Sequence, residues 1–270
     1  MKGKICIITG ASSGLGKAAA LQLADMGAIV IAVCRNQQKI RSDIETFVAD
    51  LSSQGAIRRL AQALLKKYPN IDVLIHNAGV LLPRREITID GLEETFAVNH
   101  LAPFLLTKLL LPSLQATPSS RVIIVTSRAE ELGEIDFKDL QAQNSYHWMT
   151  AYAQSKLANL LFAYELTRQL RGAQVAVHCL HPGLIHSRLG RQFNSRILLP
   201  ILLRPFMQKA SQAAKALVRL AVDPALAEVT GKYFIKYREA KSSSRSYDVQ
   251  LAKNLWEHSE SLTQERVSCD

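Results

Sequence analysis

Ile5-Cys6-Ile7-Ile8-Thr9-Gly10-Ala11-Ser12-Ser13-Gly14-Leu15-Gly16-Lys17 decides the architecture. Its opening run is apolar and rich in β-branched residues, which is the composition of a buried strand. The glycines that follow permit a tight turn at positive φ and a close approach of backbone to a bound group. From Leu15 to Met26 apolar residues recur at helical spacing, and Gly27 stands where a helix C-cap belongs. Strand, glycine turn and helix in that order aim free N–H groups and the positive helix end at an anion. The turn therefore predicts a pyrophosphate cradle made by Gly10, Ser12, Ser13, Gly14, Leu15 and Gly16. A purely structural turn is the plainer alternative.

Outward from this unit the chain keeps alternating. Strand-like runs occur at Ile29–Val33, Thr46–Ala49, Ile71–Ile75, Arg121–Val125, Gln174–Leu180 and Lys232–Ile235. Helical patterns run from Ser52 or Ser53 to Tyr68, from Gly91 to Leu114 and from Met149 to Leu170. Continuous apolar strands indicate a sheet covered on both faces, and strand–helix alternation indicates parallel pairing. The expectation is α/β: a single-domain Rossmann-type doubly wound parallel sheet of about seven strands, with helices on both faces, spanning 1–270. One connection is short. Between Cys34 and Ile44 there is little room for a crossover, which usually takes about a dozen residues, so its helix is expected to be very short or absent and that sheet edge open.

Composition narrows the class. With 270 residues and 48% hydrophobic residues the chain can build one large core. The net charge of +10 suits anionic partners, but the basic residues are scattered and form no nucleic-acid arm. Cys6, Cys34, Cys179 and Cys269 make no CxxC pair and no metal spacing. Three of them lie in apolar runs, so buried thiols and a reducing, cytoplasmic setting are expected. The sequence shows no signal peptide, and no apolar run long enough to span a bilayer.

Cofactor choice is read at the end of the second strand. An acid there would bind the ribose 2′-OH of NAD, whereas an arginine suits the 2′-phosphate of NADP. Arg35 follows Cys34 with no acid beside it, so NADP(H) is expected, with a merely solvated arginine as the alternative. Tyr152 and Lys156 stand four apart, on one face if the segment is helical. A free tyrosine has a pKa near 10, and a neighbouring ammonium would lower it, so the pair makes a general acid/base. Ser127 closes the fifth strand and can hold a carbonyl oxygen beside Tyr152. Asn77-Ala78-Gly79 closes the fourth strand, and Asn99 lies in the helix after it.

With its Gly-x-x-x-Gly-x-Gly turn and Tyr-x-x-x-Lys pair the chain resembles the short-chain dehydrogenase/reductase family, and within it the retinol dehydrogenase branch. The branch marks are Cys34-Arg35, Val98-Asn99-His100-Leu101, Ser155-Lys156-Leu157-Ala158-Asn159, His181-Pro182-Gly183 and Gly231-Lys232-Tyr233-Phe234. The resemblance implies an oxidoreductase acting on a lipophilic carbonyl or alcohol. It makes Tyr152 the proton donor in carbonyl reduction or the acceptor in alcohol oxidation, Lys156 a ribose ligand, Ser127 the orienting hydroxyl and Asn99 part of a proton path. It places Asp50-Leu51 at the adenine and Pro182, Gly183 and Ser187 on the nicotinamide side, and it implies a homodimer through the helices bearing Asn99 and Tyr152. The sequence shows no counterpart of the branch's N-terminal membrane-anchoring helix, so no such anchor is expected; the segment after Arg35 is shortened, and Ala102-Pro103 replaces the usual Gly-His.

The apolar stretch Ile197–Met207, with Arg191, Arg196, Arg204 and Lys209 about it, reads as a substrate lid at about 187–210. An apolar lid suits a lipophilic substrate, and its basic flanks suit peripheral contact with an anionic membrane. Ordinary core or an oligomer contact explains it equally well. His178, His181 and His186 fit no common metal site, and no metal is expected. The second functional reading is a non-catalytic NADP-binding scaffold or sensor. The complete set Asn99, Ser127, Tyr152 and Lys156 argues for the enzyme.

Overall fold

The computed structural model describes residues 1–37, 40–185 and 207–264. The first unit folds as its residues dictate. Strand β1 (Ile5–Thr9) leads through the glycine turn into helix α1 (Gly14–Asp25). Gly27 takes φ +82° just past the helix, where a side chain would be strained. Strands β2 (Ile29–Cys34) and β3 (Glu45–Val48) follow, with no helix among the described residues between them. Helix α2 (Gln54–Lys67) starts at Ser53, whose side chain accepts from Ala56 N–H, and leads to β4 (Val73–His76).

The next helix, α3 (Glu94–Gln115), begins later than periodicity suggests. The Glu93 carboxylate accepts from Thr95 and Phe96 N–H at 2.7 Å each, which caps the helix there. Beyond it come β5 (Ser120–Val125), α4 (Trp148–Gln169), β6 (Val175–His181), α5 (Ala210–Val222), β7 (Lys232–Ile235), β8 (Arg238–Ala240) and α6 (Val249–Thr263). Helix α3 is long and apolar enough to cross a membrane, at a mean hydropathy of 1.2, but 78% of that window is buried inside the protein.

The strands form one eight-stranded sheet in the order β3-β2-β1-β4-β5-β6-β7-β8. All neighbours are parallel except β7 and β8. The expected count of about seven thus falls one short. β8 is Arg238-Glu239-Ala240, polar and half exposed, and its hairpin turns at Lys236 (φ +55°) rather than at a glycine. It carries neither the apolar run nor the turn residues that betray a strand.

Side chains of α2, α3 and α4, among them Leu60, Phe104 and Phe162, cover one face of the sheet. Leu23 of α1 and Leu217 of α5 cover the other. Helix α6 lies outside α3 and α4, with Leu255 packed among Phe96, Leu157 and Leu161. Strand order reverses between β1 and β4, so a crevice opens at their carboxyl ends, where open α/β sheets place ligands.

Candidate active site

That crevice is a cleft of about 630 Å³. Its floor is the glycine turn. Gly10 takes φ +68°, and a Cβ there would lie 2.8 Å from Ala78 Cα. A Cβ on Gly16 would lie 2.4 Å from Asn77 Nδ2 and 2.5 Å from Gly10 O. Neither position admits a side chain. Gly14 differs: at φ +56° its missing Cβ would meet nothing within 4 Å.

Asn77 clasps this turn. Its Nδ2 donates to Thr9 O at 2.9 Å and Gly10 O at 3.1 Å. The Thr9 hydroxyl accepts from Asn77 and Ala78 N–H at 3.0 and 3.1 Å. Thr9 was not singled out from sequence. A threonine inside an apolar strand reads as a β-former, and its role appears only once β1 and β4 are neighbours.

Ser12, Ser13, Gly14 and Leu15 line one side of the cleft, and Arg35, Asp50 and Leu51 line its outer end. The end of β2 bears no acid, but the fold brings Glu94 from α3 to the same cleft. Burial, helped by Glu86 and Asp50, raises the Glu94 pKa, and Arg35 opposes that rise. No local pattern around Arg35 signals this carboxylate.

Ser127, Tyr152 and Lys156 meet at the inner end, with Ala78, Gly79, Pro182 and Gly183 beside them. Ser127 leaves β5 and caps a 3-10 turn (Arg128–Leu132). Tyr152 and Lys156 share a face of α4, and the Lys156 Nζ lies 5.3 Å from the centre of the Tyr152 ring. The ammonium also donates to Val125 O at 3.3 Å. A lowered tyrosine pKa was expected from this neighbour. Instead burial dominates and pushes the Tyr152 phenol up to about 12, opposed by its hydrogen bond with Ser127. Burial also pushes Lys156 down to about 8.

Asn99 and Gly16 stand one layer behind the cleft wall. The Asn99 Oδ1 accepts from Val80 N–H at 2.8 Å, and its Nδ2 donates to Val80 O and Ser155 Oγ, both at 3.0 Å. Ser155 in turn donates to Tyr152 O at 2.7 Å. Asn99 therefore joins the segment after β4 to the tyrosine helix. It sits in a π turn (Ala97–Leu101), a form often found at functional sites. Ala102 N–H reaches back to Ala97 O there. Pro103, which has no N–H, follows at the point where the ordinary ladder is already shifted.

Ser187 and residues 187–206 of the expected lid lie outside the described residues, as do His186 and Cys269. The residues described at the end of that expected segment, Met207 and Gln208, reach the cleft and its rim. Met207 lines the cleft, Gln208 Nε2 donates to Pro182 O at 2.5 Å, and Gln208 N–H donates to Leu184 O at 2.9 Å. His178 and His181 are both pushed down to about 4 by burial, and Cys6, Cys34 and Cys179 are free buried thiols.

Comparison with known proteins agrees with this geometry. Residues 4–197 match the short chain dehydrogenase family. Retinol dehydrogenase 14 of Mus musculus is 38% identical over 290 residues, covering 96% of this chain and 86% of that protein. Retinol dehydrogenase 13 of Homo sapiens is 39% identical over 280 residues, covering 96% and 84%. A crystal structure of an uncharacterised protein from Mycobacterium paratuberculosis superposes at TM-score 0.80, with 31% identity over 97% of this chain and 94% of that one. RhlG of Pseudomonas aeruginosa, solved in an NADP active-site complex, superposes at TM-score 0.71 with 25% identity, covering 91% and 97%. The chain belongs to the short chain dehydrogenase family, and within it is an oxidoreductase of retinol dehydrogenase type acting on CH–OH or C=O with a nicotinamide cofactor.

Proposed function

We propose that this chain exchanges hydride between NADP(H) and the carbon of a lipophilic aldehyde, ketone or alcohol. One observation carries the reading: a single cleft has Arg35 at one end and Ser127, Tyr152 and Lys156 at the other, and its lining includes the glycine turn, where Gly10 admits no side chain.

The residues present fit the cofactor. Gly10, Ser12, Ser13, Gly14 and Leu15 would take its pyrophosphate, with Gly16 behind them, and the helix N-terminus favours that anion. Arg35 would take the 2′-phosphate, and Asp50 and Leu51 the adenosine. Asn77, Ala78, Gly79, Pro182, Gly183 and Ser187 would flank the nicotinamide side. When bound, the cofactor supplies or accepts the hydride.

Everything else falls to the protein. The Ser127 hydroxyl would hold the substrate oxygen. A phenol pushed up to about 12 keeps its proton at neutral pH, so Tyr152 would donate it as negative charge develops on that oxygen. Lys156 would bind the ribose and restore the tyrosine proton, and Asn99 would keep the route to solvent in place by holding Val80 and Ser155. The lipophilic preference draws on Val80, Leu82, Leu184, Ile185 and Met207 in the cleft lining.

The test is NADPH oxidation with a panel of aldehydes and ketones, alongside NADPH binding by calorimetry. Turnover that persists in Tyr152→Phe sinks the assigned role. Binding without turnover by the wild type turns the reading to an NADP sensor, and no binding of NADPH removes it altogether.

A further inference from the structure

Glu130 is a buried carboxylate for which the reaction above has no use. It sits in the 3-10 turn that follows Ser127 and is 1% exposed. A lone carboxylate in that position would be costly. Here one residue far along the chain meets it twice. Ser243 N–H donates to Glu130 Oε1 at 2.9 Å, and Ser243 Oγ–H donates to Oε2 at 2.5 Å. Burial raises the Glu130 pKa, and both Ser243 bonds oppose that rise by favouring the ionised form.

The same segment holds the turn a second time. Arg245 Nη1 donates to Gly133 O at 2.8 Å. The segment is itself stiffened: Ser246 Oγ donates to Ser243 O at 2.7 Å, and Ser242 Oγ lies 2.7 Å from the Tyr164 hydroxyl of α4. Within the turn, Glu130 N–H donates to Ser127 O at 3.0 Å and Ala129 N–H to Ser127 Oγ at 3.2 Å. The turn also rests directly on the tyrosine helix. A Cβ on Gly133 would lie 2.6 Å from Ala153 O and 2.7 Å from Leu157 Cβ.

Ser127 and Tyr152 thus belong to different elements, and their spacing must be fixed by something that grips both. Among the described residues, the 242–246 segment grips both sides, touching the serine turn at Glu130 and Gly133 and the tyrosine helix at Tyr164, beside the turn's own direct packing on that helix. We propose that Glu130 is a positioning residue: clamped by Ser243 and supported by Arg245, it sets the Ser127 hydroxyl against Tyr152 and so governs turnover without touching substrate. The proposal rests on the roles given to Ser127 and Tyr152 above.

The test uses the full chain with Ser243→Ala, Ser243→Thr and Arg245→Met. Amide hydrogen exchange is read over residues 128–133, NADPH affinity by calorimetry, and kcat and KM with one aldehyde. Ser243→Ala removes one of two bonds to a charged group, and a bond of that kind is worth about tenfold in an equilibrium. Exchange over 128–133 is expected to quicken about tenfold and kcat to fall by a similar factor. NADPH affinity is expected to stay within about twofold, since the clamp is remote from the glycine turn. Ser243→Thr, which keeps the hydroxyl, is expected to restore both exchange and kcat, and Arg245→Met to show a smaller loss of the same kind. Unchanged exchange in Ser243→Ala overturns the clamp. Faster exchange with undiminished kcat overturns the positioning role, as does a kcat loss that only tracks weakened NADPH binding. Exchange and binding need no turnover, so a wild type that reduces no aldehyde sinks the reaction while the clamp is still judged on exchange.

Discussion

The two ends of the cleft are built differently. At the outer end, β3 has four residues, none of them fully buried, and Val48 is 51% exposed. It joins β2 through residues 35–44, where Arg41 bridges Asp25 at 2.5 Å and Asp43 at 2.6 Å on the surface. Exposed pairs of this kind contribute little, because solvent screens them. At the inner end, Lys156 and Ser155 are buried, and α3 and α4 are covered in turn by α6. Trp256 of α6 sits edge-on to Phe104 at 4.9 Å, Ser259 meets His100 at 2.9 Å, and Glu260 pairs with Lys108. On the proposed reading the outer end has to attract a charge, which tolerates slack. On the same reading the inner end has to hold hydroxyls at proton-transfer distance, where about 1 Å of misplacement can cost a hundredfold. Burial is concentrated at the inner end.

Variants can break this contrast. Tyr152→Phe is expected to lower kcat by about 10²–10⁴ with NADPH affinity nearly unchanged, because only the transferable proton is lost. Steady-state rates beside calorimetry check it, and a parallel loss of binding would deny the separation of the two ends. Gly16→Ala tests the piece they share. Its Cβ has no room between Asn77 and Gly10 O, so NADPH binding and melting temperature should both fall, by about 1–3 kcal/mol in stability. A differential scan with and without NADPH reads both.

Arg35→Ala is expected to weaken NADPH by about tenfold or more, as for one charge-assisted contact, while leaving NADH binding and kcat nearly unaltered. An equal loss for both cofactors would remove the 2′-phosphate role. Acid should lower stability through buried histidines. Burial pushes His76 and His100 down to about 3, below the ordinary value near 6.5. Between those values the unfolded chain binds more protons, so stability rises with pH there and is lost as pH falls below about 6.5, by up to about 1.4 kcal/mol per pH unit for each histidine. Urea midpoints from pH 7 to 4 measure the slope, and His100→Gln should flatten it. Smallest of all, Val48→Thr on the open edge should change stability by no more than about 0.5 kcal/mol.

How far the sequence speaks depends on whether a signal is local. The β1 turn, Arg35, Ser127 and the Tyr152–Lys156 spacing are short-range patterns, and the fold brings them into one cleft. The missing crossover helix was legible too, because a short connection is a count of residues. Contacts between distant segments were not legible. Thr9 is a strand residue until Asn77 arrives beside it. Glu94 is an ordinary helix-start acid until β2 ends near it. The lowered tyrosine pKa failed for a similar reason: spacing shows which charge is near, whereas the larger effect of burial is set by the whole fold.

Helix α6 and the segment before it also bear on how the chain is made. Ser243 meets Glu130 across 113 positions, and Ser259 meets His100 across 159. During synthesis β1 to β5 emerge first and can begin pairing, since domains tend to fold from the N-terminus. The serine turn and the face of α3 then wait for residues 243 to 260 to leave the ribosome. Such long closures slow folding and leave apolar surface bare in the interval. A nascent chain is thus able to build its glycine turn well before residues 243 to 260 brace the serine turn, so chaperones would have most to protect at the face that α6 covers last.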